Sequence, residues 1–587
     1  MPDGAPAVAT PTTRLAVEIS PSLAPRTEAR SHPTRSVLWS SRWREKRAGR
    51  EAEAGRTARW RSGPSPGGSG PRRRPAAAGI APGATWPARV SDPASTPAEG
   101  RLSEAEERFE RRRRGLGLVF GPLAFAFLLA FPPAALPGPA AKLLAVVAWV
   151  LVWWITEAAP LPATAILGPA LTVVLGVATA KEAFAAFGDP IVFLFLGSFL
   201  LAGAMSAHGL DRRIARAILT IPAASASPRR VVVTFLVLSA ALSMWLSNSA
   251  TTAMLYPIAL GTLGSLGEGA GRSPLARTLL LACAYGASVG GIGTPVGSPP
   301  NLVAIGQLST LAGIRVGFVP WLLVTLPILL AMVAGTALFQ RAGERAPGPR
   351  LPVAAEPDSR RTWAAGERSV AVAVLATVAC WIGPGLLALV LGAEHPVALS
   401  FGRALPEGAV AVLGASLLFV LPGGVGRGRA MGWDEAAKID WGTLLLFGGG
   451  LSLGAAMFRT GLSEALGNGL VGATGVSTRA GLTIVFSVFS IFFTEVTSNP
   501  AAATMLVPLA IASARAAGVS PIEPSLGCAL GCSMAFMLPV ATPPNAIVYG
   551  SGLVPVSQMV RAGFRLNLLA CVVIPAGVLL LVPLVLR

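Results

Sequence analysis

The chain has 587 residues, of which 52% are hydrophobic and 13% are charged, and its mean hydropathy is +0.61. Its formal charge of +19 is uneven, because residues 1–114 hold 22 basic and 12 acidic residues. Soluble domains usually carry about 25% charged residues. The body of the chain is therefore too poor in charge for a soluble enzyme, a nucleic-acid-binding protein or a secreted disulfide-linked domain, and it is predicted to be a polytopic membrane protein.

The N-terminal tail, residues 1–114, is rich in Arg, Pro, Ser, Ala and Gly. Such a composition cannot bury enough apolar surface to offset the entropy of ordering, so we predict disorder. No apolar stretch follows Met1, which argues against a secretory signal peptide. A transit peptide, a nucleic-acid-binding tail, a lipid-binding basic segment and a start codon placed too early all stay open. Disorder without a specific function is the interpretation we favour.

From residue 115 onward, apolar stretches of membrane-spanning length recur. Two stretches, 231–264 and 480–513, are longer and carry an Asn-centred polar segment in the middle, which predicts re-entrant hairpins. The predicted fold is thus all-α, with eleven spans and two hairpins in halves 115–340 and 369–587, joined by a charged cytoplasmic linker, 341–368. The predicted spans are 115–135, 140–158, 161–178, 190–207, 277–308, 317–340, 369–392, 407–422, 441–458, 525–553 and 563–586.

Basic residues predict the orientation of the chain. The links on the side of the tail are the richer ones, with basic residues in 212–230, 341–368, 427–438 and 561–565. The opposite links are poorer in basic residues, with Lys142, Lys181, Arg403, Arg459 and Arg479. We therefore expect a multi-pass protein of the cell membrane, with a cytoplasmic N-terminus and an external C-terminus.

The second half repeats motifs of the first half. The matching pairs are 199–210 with 451–462, 247–248 with 498–499, 254–259 with 505–510, and 299–301 with 543–545. The ninth predicted span is the fifth span after the fourth, and because five is odd the two halves are expected to face opposite ways across the membrane. Inverted repeats of this kind are typical of secondary transporters, which bind their substrate near the bilayer midplane.

Two of the predicted spans are interrupted by Gly and Pro, at 290–301 and 540–545. These residues cannot continue a helix, and irregular backbone at membrane depth is tolerated only in a protein interior or beside a cavity. We therefore expect the two interruptions and the two hairpin tips to converge. Helix N-termini there would offer donors to an anion, and unwound carbonyl groups would coordinate a small cation.

With these motifs the chain resembles the divalent anion/sodium symporter family over residues 115–587. The motifs that carry the resemblance are 153–162, 243–249, 293–295, 494–500 and 541–545. The resemblance implies a homodimer in the lipid bilayer, with a fixed scaffold (spans one to four and seven to nine) and an elevator-like moving domain (the hairpins and spans five, six, ten and eleven). It also implies transport of a dicarboxylate, a tricarboxylate or sulfate, usually with Na+ as coupling ion.

The resemblance also implies a set of site residues. One Na+ site would use Ser243, Ser247, Asn248 and the carbonyl group of Gly293, and the other would use Thr494, Thr497, Asn499 and the carbonyl group of Ala541. The anion would lie between Asn248-Ser249 and Asn499-Pro500, with Thr294, Thr542 and Pro543 nearby. The family's Ser-Asn-Thr triplet here ends in Ser249 and in Pro500. Pro500 has neither a hydroxyl group nor an N–H donor, so the substrate loses one partner on the second side and the choice of anion stays open. We rank C4-dicarboxylates first and sulfate second, with Na+-independent dicarboxylate exchange as a further alternative.

The charges of the predicted site indicate coupling to a cation. Segments 231–264, 279–314, 481–514 and 524–560 contain no Lys or Arg, and Glu495 is their one charged residue. Burying an uncompensated charge costs several kcal/mol, and helix N-termini recover only about 0.3–2 kcal/mol each. A divalent anion is therefore expected to need bound cations. Glu495 itself is expected to support the hairpin tip rather than to bind substrate or Na+ directly.

Other functional classes fit the residues less well. All five cysteines lie in apolar segments without a second ligand pair, which predicts no metal cofactor and no disulfides. His208 and His395 lie outside the polar tips, so a serine hydrolase in the membrane lacks its base. Glu157 and Asp189 lie near span ends, where solvated or capping roles are expected. A channel has no need of paired interrupted helices, so we expect a transporter rather than an enzyme, without nucleic acid as a partner.

Overall fold

The computed structural model describes residues 104–586 except 222–226, 265–272, 341–361, 393, 425 and 427. The predictions for residues 1–103 and for most of the linker therefore lie outside the described residues. Within the described part of the chain all regular structure is helical, apart from an isolated bridge between Pro422 and Arg429. The predicted all-helical fold is confirmed.

Twenty-two α-helices follow one another among these residues. They are α1 (Glu104–Ala130), α2 (Gly138–Thr156), α3 (Leu161–Val174), α4 (Ala180–Ala185), α5 (Pro190–His208), α6 (Leu210–Leu219), α7 (Pro228–Ser243), α8 (Asn248–Gly264), α9 (Pro274–Gly290), α10 (Pro299–Gln307), α11 (Phe318–Gln340), α12 (Ala365–Leu391), α13 (Pro396–Ala404), α14 (Glu407–Leu418), α15 (Trp433–Ala436), α16 (Trp441–Arg459), α17 (Leu462–Thr474), α18 (Arg479–Phe493), α19 (Asn499–Ala516), α20 (Ile522–Cys532), α21 (Pro543–Tyr549) and α22 (Val556–Val585).

Two helix boundaries differ from the sequence-based expectation. Helix α1 begins inside the predicted tail, and α12 begins inside the predicted linker. Seven stretches in the described residues are long and apolar enough to cross a membrane, or nine if two bent helix pairs each count as one span. The chain is thus a multi-pass membrane protein. The count of eleven spans stays a prediction, since spans five and ten are each divided into two short helices.

Each half contains a helical hairpin and an interrupted helix. In the first half these are α7–α8 and α9–α10, and in the second they are α18–α19 and α20–α21. The arms begin at Ser and Thr caps: the Ser227 hydroxyl accepts from the Arg230 N–H at 3.3 Å, and the Thr478 hydroxyl accepts from the Gly481 N–H at 3.1 Å. That these hairpins are re-entrant in a membrane stays a prediction.

Small residues let the hairpins and the interrupted helices pack closely. Helix α9 lies along α7, and α20 lies along α18. A Cβ atom on Gly286 would come within 2.6 Å of the Leu236 carbonyl oxygen, and one on Gly531 within 2.8 Å of the Ser487 carbonyl oxygen. Glycine is therefore required at both contacts, as is common where membrane helices meet.

The two halves also interlock with each other. Helix α10 packs against α19 of the other half, and α21 packs against α8. The helices of both halves share one large apolar core, while α2, α3 and part of α16 bury a second, smaller cluster around Leu143 and Trp154. As a result the hairpin tips and the interruptions of both halves lie in one place.

Candidate functional site

A cavity of about 890 Å³ lies where the two hairpin tips and the two interruptions meet. The four segments contribute residues 245–250, 296–299, 498–500 and 541–544 to its walls. The other lining residues belong to the start of α3, to α5 and to segment 431–446. The structure thus brings together the four polar segments that the sequence singled out.

The two hairpin tips share one hydrogen-bonding pattern. The Ser243 hydroxyl group donates to Oδ1 of Asn248 at 2.7 Å, and the Thr494 hydroxyl group donates to Oδ1 of Asn499 at 2.7 Å. The Thr494 hydroxyl is also 2.8 Å from the Cys532 carbonyl oxygen of the neighbouring interruption. Each tip therefore gathers neutral oxygen atoms of the kind that hard cations prefer.

The interruptions are held by the asparagines of the repeated Pro-Pro-Asn motif. Nδ2 of Asn301 donates to the carbonyl oxygens of Gly291 and Thr294, both at 2.8 Å. Nδ2 of Asn545 donates to those of Ala535 and Leu538, at 3.2 and 3.0 Å. Both asparagines are fully buried. The sequence analysis predicted no role for these asparagines, although the occurrence of Pro-Pro-Asn in both halves could have indicated one.

Glu495 supports the second interruption. Its carboxylate is buried and accepts N–H bonds from Phe536 at 2.8 Å, Met537 at 3.0 Å and Leu538 at 3.2 Å. Nδ2 of Asn567 on α22 donates to it at 2.8 Å. Glu495 is not one of the described residues that line the cavity. Its contacts agree with the expected supporting role.

The first half holds its interruption differently. Met244 occupies the position that corresponds to Glu495. There, Nε1 of Trp321 donates to the Ile292 carbonyl oxygen at 3.0 Å, and the Thr325 hydroxyl donates to the Gly293 carbonyl oxygen at 3.1 Å. The first interruption is thus supported from α11 through its carbonyl groups, whereas the second is supported through its N–H groups.

The predicted site residues divide into those on the cavity wall and those behind it. On the wall lie Ser247, Asn248, Ser249, Asn499, Pro500, Ala541, Thr542 and Pro543. Behind it lie Ser243, Gly293, Thr294, Thr494 and Thr497. The hydroxyl group of Thr294 is buried and donates to the Met244 carbonyl oxygen, so it joins the interruption to the hairpin tip rather than facing the cavity. The hydroxyl group of Thr497 is buried and has no partner in the described part of the chain.

Three charged residues that the sequence did not assign to the site also line the cavity. They are Glu435, Lys438 and Asp440, which lie on α15 or between α15 and α16. They lie outside the segments 231–264, 279–314, 481–514 and 524–560, which contain no basic residue. No local spacing could have placed this link at the cavity, because the contact is tertiary.

The other acidic candidates have capping roles. Glu157 follows α2 in the left-handed region at φ +49°, and its carboxylate lies 3.4 Å from Arg113 and 3.6 Å from Arg114. Asp189 caps α5, where its Oδ1 accepts from the Ile191 N–H at 2.9 Å. Both findings agree with the capping roles expected for these carboxylates.

Comparison with known proteins identifies the family. Residues 116–585 match the family described as the sodium:sulfate symporter transmembrane region. The chain therefore belongs to the divalent anion/sodium symporter family. This membership confirms the resemblance seen in the motifs and makes the chain a membrane transporter, not an enzyme.

Two staphylococcal relatives carry the name sodium-dependent dicarboxylate transporter SdcS. The chain is 33% identical to the one from Staphylococcus saprophyticus over 484 residues, or 80% of this chain and 91% of the relative. It is 33% identical to the one from Staphylococcus aureus USA300 over 488 residues, or 80% and 92% of the two chains. The crystal structure of the YdaH transporter of Alcanivorax borkumensis is similar to this chain with a TM-score of 0.47 and 16% sequence identity. The match covers 75% of this chain and 98% of the YdaH chain. This similarity is too weak for a comparison of structural details.

Proposed function

We propose that this transporter moves a C4-dicarboxylate across the cell membrane together with Na+. The observation that carries the proposal is the duplicated tip, in which a hydroxyl group and an asparagine oxygen lie 2.7 Å apart in both halves beside one cavity. The amide group of each asparagine has an oxygen for a cation and an NH2 group for an anion. Two relatives with 33% identity are named for sodium-dependent dicarboxylate transport.

Two Na+ ions would bind at the hairpin tips as cotransported substrates. The first would contact Ser243, Ser247, Asn248 and the carbonyl group of Gly293, and the second Thr494, Thr497, Asn499 and the carbonyl group of Ala541. The unpartnered hydroxyl group of Thr497 fits this arrangement, because a buried hydroxyl without a partner is costly. The dicarboxylate would lie between the two tips, beside Thr542 and Pro543.

The charges around the cavity favour cation coupling. Lys438 is the one basic residue on the wall among the described residues, and it is accompanied by Glu435 and Asp440. The wall therefore offers no net positive charge to a divalent anion. Bound Na+ would supply it, which would make anion binding depend on prior Na+ binding.

Transport would follow an elevator motion in a homodimer. The hairpins and the interrupted helices of both halves interlock, so they are suited to move as one unit past α1–α5 and α12–α16. Residues 206, 207, 435 and 438–440 line the cavity and lie in or beside links predicted to be cytoplasmic. We assign this conformation to the inward-facing state, with the N-terminus inside and the C-terminus outside.

The test is uptake by the purified full-length protein in proteoliposomes. Labelled succinate would be competed with malate, citrate and sulfate, with an inward gradient of either Na+ or choline. The proposal expects saturable, concentrative uptake that needs Na+ and is competed best by malate. Stronger competition by sulfate would favour the sulfate alternative. Full-rate concentrative uptake in choline would refute Na+ coupling.

A further inference from the structure

We propose that a second cavity, of about 330 Å³, binds a phosphate group at one surface of the membrane. This cavity lies between the beginning of α9, the end of α11 and the beginning of α22, and it shares no lining residue with the central cavity. The polar side chains on its walls include Arg277, Gln340, Gln558 and Arg565.

The charge of this cavity calls for an anion. No acidic residue lines it among the described residues, and neither Arg277 nor Arg565 forms an ion pair or a side-chain hydrogen bond there. Two guanidinium groups on one cavity repel each other unless an anion lies between them. The planar donor fork of arginine matches the oxygen atoms of phosphate in a bidentate way.

Gln340 is the second observation that indicates a missing ligand. Both its side-chain oxygen and its side-chain nitrogen are buried and have no partner in the described part of the chain. Buried polar atoms are almost always hydrogen-bonded, so an amide with neither atom satisfied indicates a partner that is absent from the protein itself. Its NH2 group would donate to a phosphate oxygen. Tyr285 is not available for this role, because its hydroxyl group already donates to the Met559 carbonyl oxygen at 3.2 Å.

The position of the cavity fits a lipid head group. It lies where α11 ends and α22 begins, on the side predicted to be cytoplasmic, at the ends of two helices that are long enough to span a membrane. Leu281, Phe339 and Leu566 add apolar surface beside the arginines. Basic pockets between membrane helices at this level are known sites for anionic head groups. Free phosphate has the same chemistry and is the other possible source of the group.

Binding is tested with the full-length protein in nanodiscs, independently of transport. Nanodiscs of phosphatidylcholine alone, with added phosphatidylglycerol, or with inorganic phosphate in the buffer would be compared by thermal unfolding and by native mass spectrometry. The test variant is Arg277→Gln/Arg565→Gln. The control is Arg561→Gln, an exposed arginine on α22 that does not line the cavity.

We expect phosphatidylglycerol to raise the melting temperature of the wild type and of the control. The double variant should need about tenfold more lipid for the same shift, because a charge-assisted contact is lost. The variant Arg277→Lys/Arg565→Lys keeps the charge and should recover part of the effect, which separates lost binding from misfolding. If inorganic phosphate alone raises the melting temperature of the wild type but not that of Arg277→Gln/Arg565→Gln, the ligand is a free anion. Equal responses of the wild type, the double variant and the control would overturn the proposal.

Discussion

The two halves of this transporter are alike in the residues that shape the site and unlike in the residues beside it. Asn248 and Asn499 accept the same hydroxyl bond, and Asn301 and Asn545 hold the interruptions at the same two spacings. One of the differences is the pair Met244 and Glu495, of which only the second is ionisable. The duplicated residues therefore maintain the geometry, and the residues that differ make the two halves chemically unequal.

The inequality extends to the backbone of the interruptions. In the first half the N–H groups of Ile292 and Gly293 continue helical bonds to Val289 and Gly290, at 3.4 and 2.9 Å. In the second half the N–H groups of residues 536–538 instead donate hydrogen bonds to the Glu495 carboxylate. Three successive N–H groups form a nest that would otherwise suit an external anion. In the second half the carboxyl group of Glu495 already occupies this nest, close to the proposed second Na+ site.

The largest effect is expected at Glu495. Replacing it with alanine leaves three N–H groups and the Asn567 amide without an acceptor, at a cost of roughly 2–5 kcal/mol. We expect Glu495→Ala to lower the melting temperature and to abolish uptake. Glu495→Gln keeps an acceptor oxygen but not the charge, so it should retain more stability than transport.

The matched control is Met244→Leu, which changes the corresponding position of the first half and removes no side-chain hydrogen bond in the described structure. Volume-conserving exchanges of this kind usually cost less than about 1.5 kcal/mol. Wild-type uptake and melting temperature in both Glu495 variants would mean that the difference between the halves has no functional consequence.

The next largest effect is expected at the two asparagines of the hairpin tips. Asn248→Ala and Asn499→Ala each remove the amide oxygen proposed to bind Na+ and the NH2 group proposed to bind the anion. We expect each to raise the Na+ concentration for half-maximal uptake by roughly tenfold or more, comparable to losses at other metal-site positions. The measurement is succinate uptake over a series of Na+ concentrations.

Asn468→Ala is the control for these variants, because Asn468 is exposed on α17 and far from the tips in sequence. A larger shift for Asn499 than for Asn248 would show that the neighbouring charge of Glu495 makes the second Na+ site the stronger one. Lower uptake with an unchanged Na+ dependence in both variants would contradict the proposed Na+ sites.

A smaller, selective effect is expected at Pro500. Pro500→Thr adds a hydroxyl group to the second side of the cavity, and one hydrogen bond of about 1 kcal/mol corresponds to roughly a fivefold change in affinity. We expect the ratio of succinate to sulfate uptake to change by about that factor. The reciprocal variant Ser249→Pro should shift the ratio in the other direction. An unchanged ratio in both variants would mean that these positions do not recognise the anion.

Much of this arrangement could be predicted from the sequence because it depends on local and repeated signals. Gly and Pro within apolar stretches located the interruptions, and the matching Ser-Asn pairs located both hairpin tips. The start of α1 at Glu104 could not be predicted, because its first turns are charged and resemble the tail that precedes them. The partners of Glu495 and the approach of residues 435–440 to the cavity depend on tertiary packing between segments far apart in the chain.

The smallest effect is expected at Lys438, which lies on the cavity wall outside both hairpins. Its side chain is exposed, so it should attract the anion through solvent rather than hold it. We expect Lys438→Gln to raise the KM for succinate by roughly two- to threefold at low ionic strength and hardly at all in high salt, because salt screens exposed charges. Lys181→Gln is the control, since Lys181 is also exposed but does not line the cavity. A KM increase that persists in high salt would show that Lys438 contacts the bound anion directly. The scaffold would then recognise the substrate together with the two hairpin tips.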